Sequence, residues 1–412
     1  MTSSLALAQG AVTACPTESS VLVRALDIAR VLIGFPSVSD RTNLDLIEWV
    51  RHYLEGFGVS AQVLPAACGH KANLFASLGA VRPGGIILSG HTDVVPVEGQ
   101  AWAQDPFTAR LDGARLYGRG SCDMKGFIAV VLAMVPELMA SPRQSFHLAL
   151  SYDEEVGAHG AQALVPFIAQ AGLAPAGCIV GEPTSMGLVV GHKGRHEISC
   201  CVRGKAAHSS VPSEGVNAID VAARVQVQLQ HMAQRLAQGP LDQGFDVPYT
   251  TVQVCKVRGG VAGNVIPGQC SFDFEIRYLP GCDAEHLLAQ VKAYAGQALW
   301  GATPEHATGA AIEFSHTLHT PGLDEHANQS FAHWLRQACA LTEGAQRVAY
   351  STEAGLFQAA GIPTVVCGPG SIKQAHKADE YVEVAQLQAC AQFLRRLGCY
   401  ETSPPTARGG DQ

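Results

Sequence analysis

The feature that most restricts the fold is an alternation of short, largely apolar runs with stretches of helical period. The runs 86–89, 146–151 and 178–180 read as buried strands bounded by turn residues. Stretches 124–139 and 159–171 lie between and after them with the period of helices. Two further helices, 19–34 and 44–57, precede the strands, and Gly58 closes the second. Strand and helix in alternation predict an α/β fold, a mixed sheet with helices on both faces.

The pattern changes near Gly191. Residues 195–203 alternate as a half-buried strand, and a long helix follows over 216–238. Strands at 250–258 and 270–278, a helix at 284–299 and a strand at 311–316 complete the order β-α-β-β-α-β. That order is ferredoxin-like, so an inserted α+β domain is expected over 192–318. The catalytic domain is then discontinuous, 19–191 and 319–402, with a helix after Pro321, a strand at 364–367 and a final helix. A chain of 412 residues suits two domains. Residues 1–18 and 403–412 read as flexible termini.

Composition removes several classes of function. Apolar residues are 47% and charged residues 16%, which allows a large core. The net charge is −8 with no basic stripe, so no nucleic-acid partner is expected. The longest apolar run, 127–135, is too short to span a bilayer, and the N-terminus lacks a basic, strongly apolar leader. Thirteen cysteines, scattered and without a C-x-x-C pair, read as thiols of a reducing cytoplasm rather than a disulfide framework.

Five motifs fall at or just beyond strand ends, where open α/β sheets gather ligands. They centre on His91 and Asp93, on Asp123, on Glu154 and Glu155, on Glu182, and on His376. Alone, each has a plain reading: a turn aspartate, a helix cap, a solvated acidic loop. Together they set two histidines and several carboxylates at one edge of one sheet. Asp123, Glu155 and Glu182 would bring three negative charges against the four positive charges of two divalent ions. The surplus would acidify a water between them, and Glu154 would be free to take its proton. Nitrogen and oxygen donors without thiolate suit zinc, cobalt or manganese, with zinc or cobalt preferred. His91 also needs an acceptor for its other ring nitrogen, and Asp93 is the candidate.

A second group lies in the insertion: His208 after a strand, Asn264 in a Gly-rich turn, Arg277 at a strand end. All three are donors, suited to a substrate carboxylate or an oxyanion. Glu353 lies in a loop before the strand that leads to His376. It is expected either to select a cationic substrate side chain at the rim of the site or simply to cap a helix.

The stretches GRGSCDMKGF, GEPTSMGLVVGHKG, STEAGLF and GPGSIKQAHKADEYV, in this order around an insertion, resemble the M20 family of metallopeptidases over about residues 20 to 400. The resemblance implies metal ligands at His91, Asp123 (bridging), Glu155, Glu182 and His376. It implies Asp93 as the orienting carboxylate, Glu154 as the general base, and a cis peptide bond between Asp123 and Met124. It further implies a homodimer joined through the insertion, with His208 reaching the partner's site. The expected substrate is a small N-acyl amino acid: N2-acetyl-L-ornithine, hydrolysed to L-ornithine and acetate for arginine biosynthesis. Succinyl-diaminopimelate, an acyl-glutamate or a dipeptide are the rival substrates. A non-catalytic metal-binding relative is the rival of another class, and an intact Glu154 argues against it.

Overall fold

A computed structural model describes residues 18–300 and 310–405. The expectations of flexibility at 1–17 and 406–412 lie outside the described residues. Its centre is an eight-stranded mixed sheet in the order Ala61–Pro65, Ala72–Leu78, Phe146–Ser151, Ile86–His91, Gly177–Val180, Thr364–Val366, Val189–His192, Gln346–Val348. The four central strands, from Phe146–Ser151 to Thr364–Val366, are mutually parallel, so their carboxyl ends meet at one edge.

The parallel core explains the apolar runs. Ile86, Leu88 and Leu148 face one buried cluster, which takes in helices Glu18–Ile33, Lys125–Ala133 and Val384–Cys399. Ile87, Ala149 and Cys178 face the other, with Leu164 and Ile168 of helix His159–Gln170 and Phe357 of helix Ala354–Ala359. Strand side chains alternate between faces, and both faces here are covered by helices, so positions on both faces are predominantly apolar and the buried polar ones need partners. Fully burying one such Leu or Ile contributes about 1.5–3 kcal/mol.

One expected helix is two. The stretch 124–139 divides into Lys125–Ala133 and Val135–Met139, with Met134 between them. Pro136 stands in the first turn of the second helix. It has no N–H to continue the first helix, and its ring favours a helix start. Among the described residues all twelve cysteines are free, and no helix is long and apolar enough to cross a membrane.

The insertion builds its own antiparallel sheet, in the order Thr251–Gly259, Gln269–Tyr278, Gly194–Arg203, Ala311–Thr320. With helices Ala218–Leu236 and Ala284–Trp300 this has the ferredoxin-like order of elements. Along Gly194–Arg203, positions 194, 196, 198, 200 and 202 are buried and the others are not. The buried row packs on the two helices in a separate core containing Ile198, Val202, Val225, Leu288 and Val291. Asn217 starts the longer helix, its side chain accepting from the N–H groups of Ile219 and Asp220 at 3.0 and 3.3 Å. The last strand runs four residues past the expected end, to Thr320.

Candidate active site

The parallel strands deliver their motifs to one place. His91 is the last residue of Ile86–His91, Glu154 and Glu155 follow Phe146–Ser151, and Glu182 follows Gly177–Val180. Asp123 precedes helix Lys125–Ala133, and its peptide bond to Met124 is cis. His376, at φ +61°, lies in the loop after Thr364–Val366. Gly181 fixes the approach of Glu182, because a Cβ there would come within 2.1 Å of the Phe127 ring.

Asp123 stands between the two histidines. Its Oδ1 is 3.0 Å from His91 Nε2, and its Oδ2 is 3.2 Å from His376 Nε2. Glu182 Oε1 lies 3.6 Å from His91 Nε2, and Glu155 Oε1 lies 3.0 Å from His376 Nε2. Two donor triads result, His91–Asp123–Glu182 and Asp123–Glu155–His376, each with its ligand atoms within 4.8 Å of one another and sharing Asp123.

The donor chemistry fits a pair of divalent ions. His91 Nδ1 donates to the main-chain oxygen of Asp93 at 2.9 Å, which leaves Nε2 free to face the carboxylates. Burial, with the charges of neighbouring carboxylates, pushes Glu182, Glu155 and Glu154 above the usual carboxylate range. Burial also opposes a charge on His91, but its carboxylate partners outweigh that and raise it. Hydrogen bonds to Asp123 and Glu155 raise His376 to about 10. Packed carboxylates that favour protons are carboxylates short of positive charge, and a cation supplies it.

The layer behind the triads departs from the sequence reading at two positions. The nearest acceptor to His91 Nδ1 is the Asp93 carbonyl, while the Asp93 carboxylate lies 3.6 Å away. That carboxylate instead accepts from Ser39 Oγ at 2.7 Å and from the main-chain N–H groups of Glu154 and Glu155 at 3.1 and 3.3 Å. It thereby holds the acidic loop. Glu353 is not at a rim. Its side chain is 0% exposed and accepts from Ser89 Oγ at 2.7 Å and Ser151 Oγ at 2.6 Å. It occupies the N-cap position of helix Ala354–Ala359, as the second expectation has it, but its side chain makes no cap bond. A buried carboxylate needs partners, and the two serines under the sheet supply them.

Glu380 escaped sequence reasoning. Its carboxylate accepts from the N–H groups of Gly120, Cys122 and Asp123 at 3.0, 2.9 and 3.0 Å and from Arg119 at 2.7 Å. The Asp123 loop is thus shaped by a residue over 250 positions away. The only hint was an acidic residue four after His376.

Asp123, Glu154, Glu155, Glu182 and His376 line a cavity of about 460 Å³. The four-stranded sheet supplies another wall: Arg195, Arg277, Leu318 and Thr320. Arg277 is therefore where the sequence reading puts it. Arg195 is a residue that reading missed, since nothing but strand alternation points it to this side. Both guanidinium groups share Glu275, at 2.6 Å from Arg277 Nε and 2.7 Å from Arg195 Nε. His208 and Asn264 do not line the cavity. They sit together at a short two-stranded antiparallel ladder, His208 opposite Val265, with Ser209 N–H donating to the Asn264 carbonyl at 3.0 Å. Both are exposed.

Comparison with known proteins agrees with this geometry. The pattern of the family described as Peptidase family M20/M25/M40 matches residues 87–398. The acetylornithine deacetylase of Proteus mirabilis is 34% identical over 384 residues, covering 90% of this chain and 95% of its own. That of Myxococcus xanthus is 38% identical over 373 residues, covering 89% and 94%. Among solved structures, an M20 family metallo-carboxypeptidase from Sulfolobus solfataricus superposes with TM-score 0.69 at 19% identity, covering 91% of this chain and 98% of its own. A dinuclear metal-binding M20 peptidase of Bacillus subtilis superposes with TM-score 0.63 at 15% identity, covering 92% and 98%. These last two speak for the fold. The chain belongs to peptidase family M20/M25/M40 and is a metal-dependent hydrolase of amide bonds.

Proposed function

We propose that the chain removes the acetyl group from N2-acetyl-L-ornithine, giving L-ornithine and acetate. The observation that carries the reading is Asp123 shared between two donor triads, with Glu154 in the same cavity but in neither triad. His91, Asp123 and Glu182 hold one divalent ion, zinc or cobalt; Asp123, Glu155 and His376 hold the other. When bound, the two ions supply carbonyl polarisation and a water of lowered pKa. Glu154 takes the proton of the attacking water and returns it to the leaving amine. Burial and its acidic neighbours hold its carboxyl above the usual range, which suits it to both steps. Arg277 binds the α-carboxylate of the substrate.

His208 and Asn264 complete the site from a second copy of the chain. They are donors exposed at the two-stranded ladder, beside a hollow of about 850 Å³ bordered by Ser209, Asp220 and Arg224. A homodimer through the insertion gives them a function that one chain does not.

The relatives that are acetylornithine deacetylases, at 34% and 38% identity over about nine-tenths of the chain, favour acetylornithine. One observation favours a second reading. With Glu353 buried, the carboxylates lining the cavity are the cluster itself, and two guanidinium groups line the opposite wall. A substrate with a second carboxylate, succinyl-diaminopimelate or an acyl-glutamate, would suit Arg195. Purified protein on a panel of acetylornithine, succinyl-diaminopimelate, acetylmethionine and dipeptides decides. The highest kcat/KM on acetylornithine is expected, and a preference for a dicarboxylic substrate overturns it.

A further inference from the structure

The four-stranded sheet has two chemically different faces. Arg195 points to the cavity, and His196, the next residue, points to the opposite face and is 0% exposed. The neighbouring strand is irregular between His316 and Leu318, so His316 pairs with Ile198 and His319 with His196. In a regular strand residues 316 and 319 would face opposite ways. The extra residue turns both rings onto His196, with centroids 4.8 and 4.6 Å away. Glu285, in the first turn of helix Ala284–Trp300, brings a carboxylate oxygen to 3.8 Å from His196 Nε2.

The polar groups in this cluster do not satisfy one another. His196 Nε2 lies 2.7 Å from His316 Nδ1, a contact that one proton serves. The other nitrogen of His196, Nδ1, is buried without a partner. Burial, with the imidazoles of His319 and His316, lowers His196 to about 4, against the pull of Glu285. The ring is therefore neutral near pH 7, the form that ligates metal. One ligand atom each from His196, His316 and Glu285 lie within 4.8 Å of one another.

We propose that His196, His316 and Glu285 form a third metal site, for a single zinc ion, behind the wall of the cavity. Two imidazole nitrogens and one carboxylate oxygen, with water as a fourth ligand, match zinc's preferred set. His319 packs beside it and donates to or accepts from Tyr278 Oη at 3.2 Å, so it is a neighbour and not a ligand. The ion ties the start of one helix to two adjacent strands. Those strands carry Arg195, Leu318 and Thr320 into the cavity, so the clamp sets the cavity wall from the far side.

The test is zinc content of untagged, full-length protein, loaded after chelation and freed of excess ion by gel filtration. Wild-type chain is expected to hold one equivalent more than His316→Ala and one more than Glu285→Gln. His333→Ala, which alters an exposed histidine of another helix, keeps the wild-type content. Glu285 is 60% exposed, so its replacement leaves the core intact. The readout is a difference between variants and holds whatever the count at the cavity cluster. Equal zinc in wild type, His316→Ala and Glu285→Gln overturns the proposal, as does an equal loss in His333→Ala.

Discussion

The edge of the large sheet and the two-stranded ladder of the insertion carry polar residues in opposite states. At the sheet edge, His91, Asp123 and Glu182 have 1%, 6% and 6% of their side chains exposed, and their neighbours hold them from behind. At the ladder, His208 and Asn264 are exposed and outside the cavity. The first region is built within one chain and organised around missing positive charge. The second is finished chemistry without a site. Desolvation explains the contrast: a buried ligand cluster must be ordered before its ion arrives, whereas exposed donors can wait for a partner.

The largest effect should come from the base. Glu154→Gln is expected to lower kcat by about 10²–10⁴-fold or more and to leave the metal content unchanged. Glu155→Gln is expected to lose metal instead, and metal analysis of the two proteins checks the division. Equal metal loss in both would remove the distinction between ligand and base. Next in size, His208→Ala should cost about 10²–10³-fold, the usual loss for one oxyanion donor. Mixing it with Glu154→Gln should restore part of the activity after subunit exchange, because one of the heterodimer's two sites then has both residues. No recovery after verified exchange would make the contrast between the regions a matter of one chain.

Stability sharpens the same contrast. Glu380→Ala removes one partner of a buried ion pair, with Arg119 and Glu380 each 1% exposed, and frees three N–H groups beside Asp123. Denaturant unfolding should show a loss of about 3–5 kcal/mol. Replacing Asn264 by Ala beside the two-stranded ladder should change unfolding by less than about 0.5 kcal/mol. A smaller loss than that of Glu380→Ala is expected at Glu353. Glu353→Gln keeps one acceptor for Ser89 and Ser151 and should cost about 1–3 kcal/mol. Its kcat/KM should fall by the same factor on acetylornithine and acetylmethionine. A selective loss on acetylornithine would return Glu353 to the substrate's surroundings.

The donor cluster was legible because most of its motifs follow apolar strands, and parallel strands must end together. That pattern put His91, Glu155, Glu182 and His376 at one sheet edge; the full set of ligand roles came only from the family resemblance. Glu353 was misread for a definite reason: a short loop holding an acidic residue looks alike whether the carboxylate faces water or two serines of neighbouring strands. Arg195 and Glu380 went unseen because their signals are single residues on strands or loops whose facing no local pattern sets.

What the sequence determined by itself is therefore the element order, the apolar faces and the types of donor at the strand ends. These follow from periodicity and turn chemistry, which act over a few residues. The tertiary structure decided which carboxylates meet histidines and which meet hydroxyls. It also made the Asp93 carbonyl, rather than its carboxylate, the acceptor of His91, and it turned His196 away from the cavity that Arg195 lines. The partners that engage the Asp93, Glu353 and Glu380 carboxylates lie tens to hundreds of positions away in sequence, and burial sets the cost of leaving a charge unpartnered.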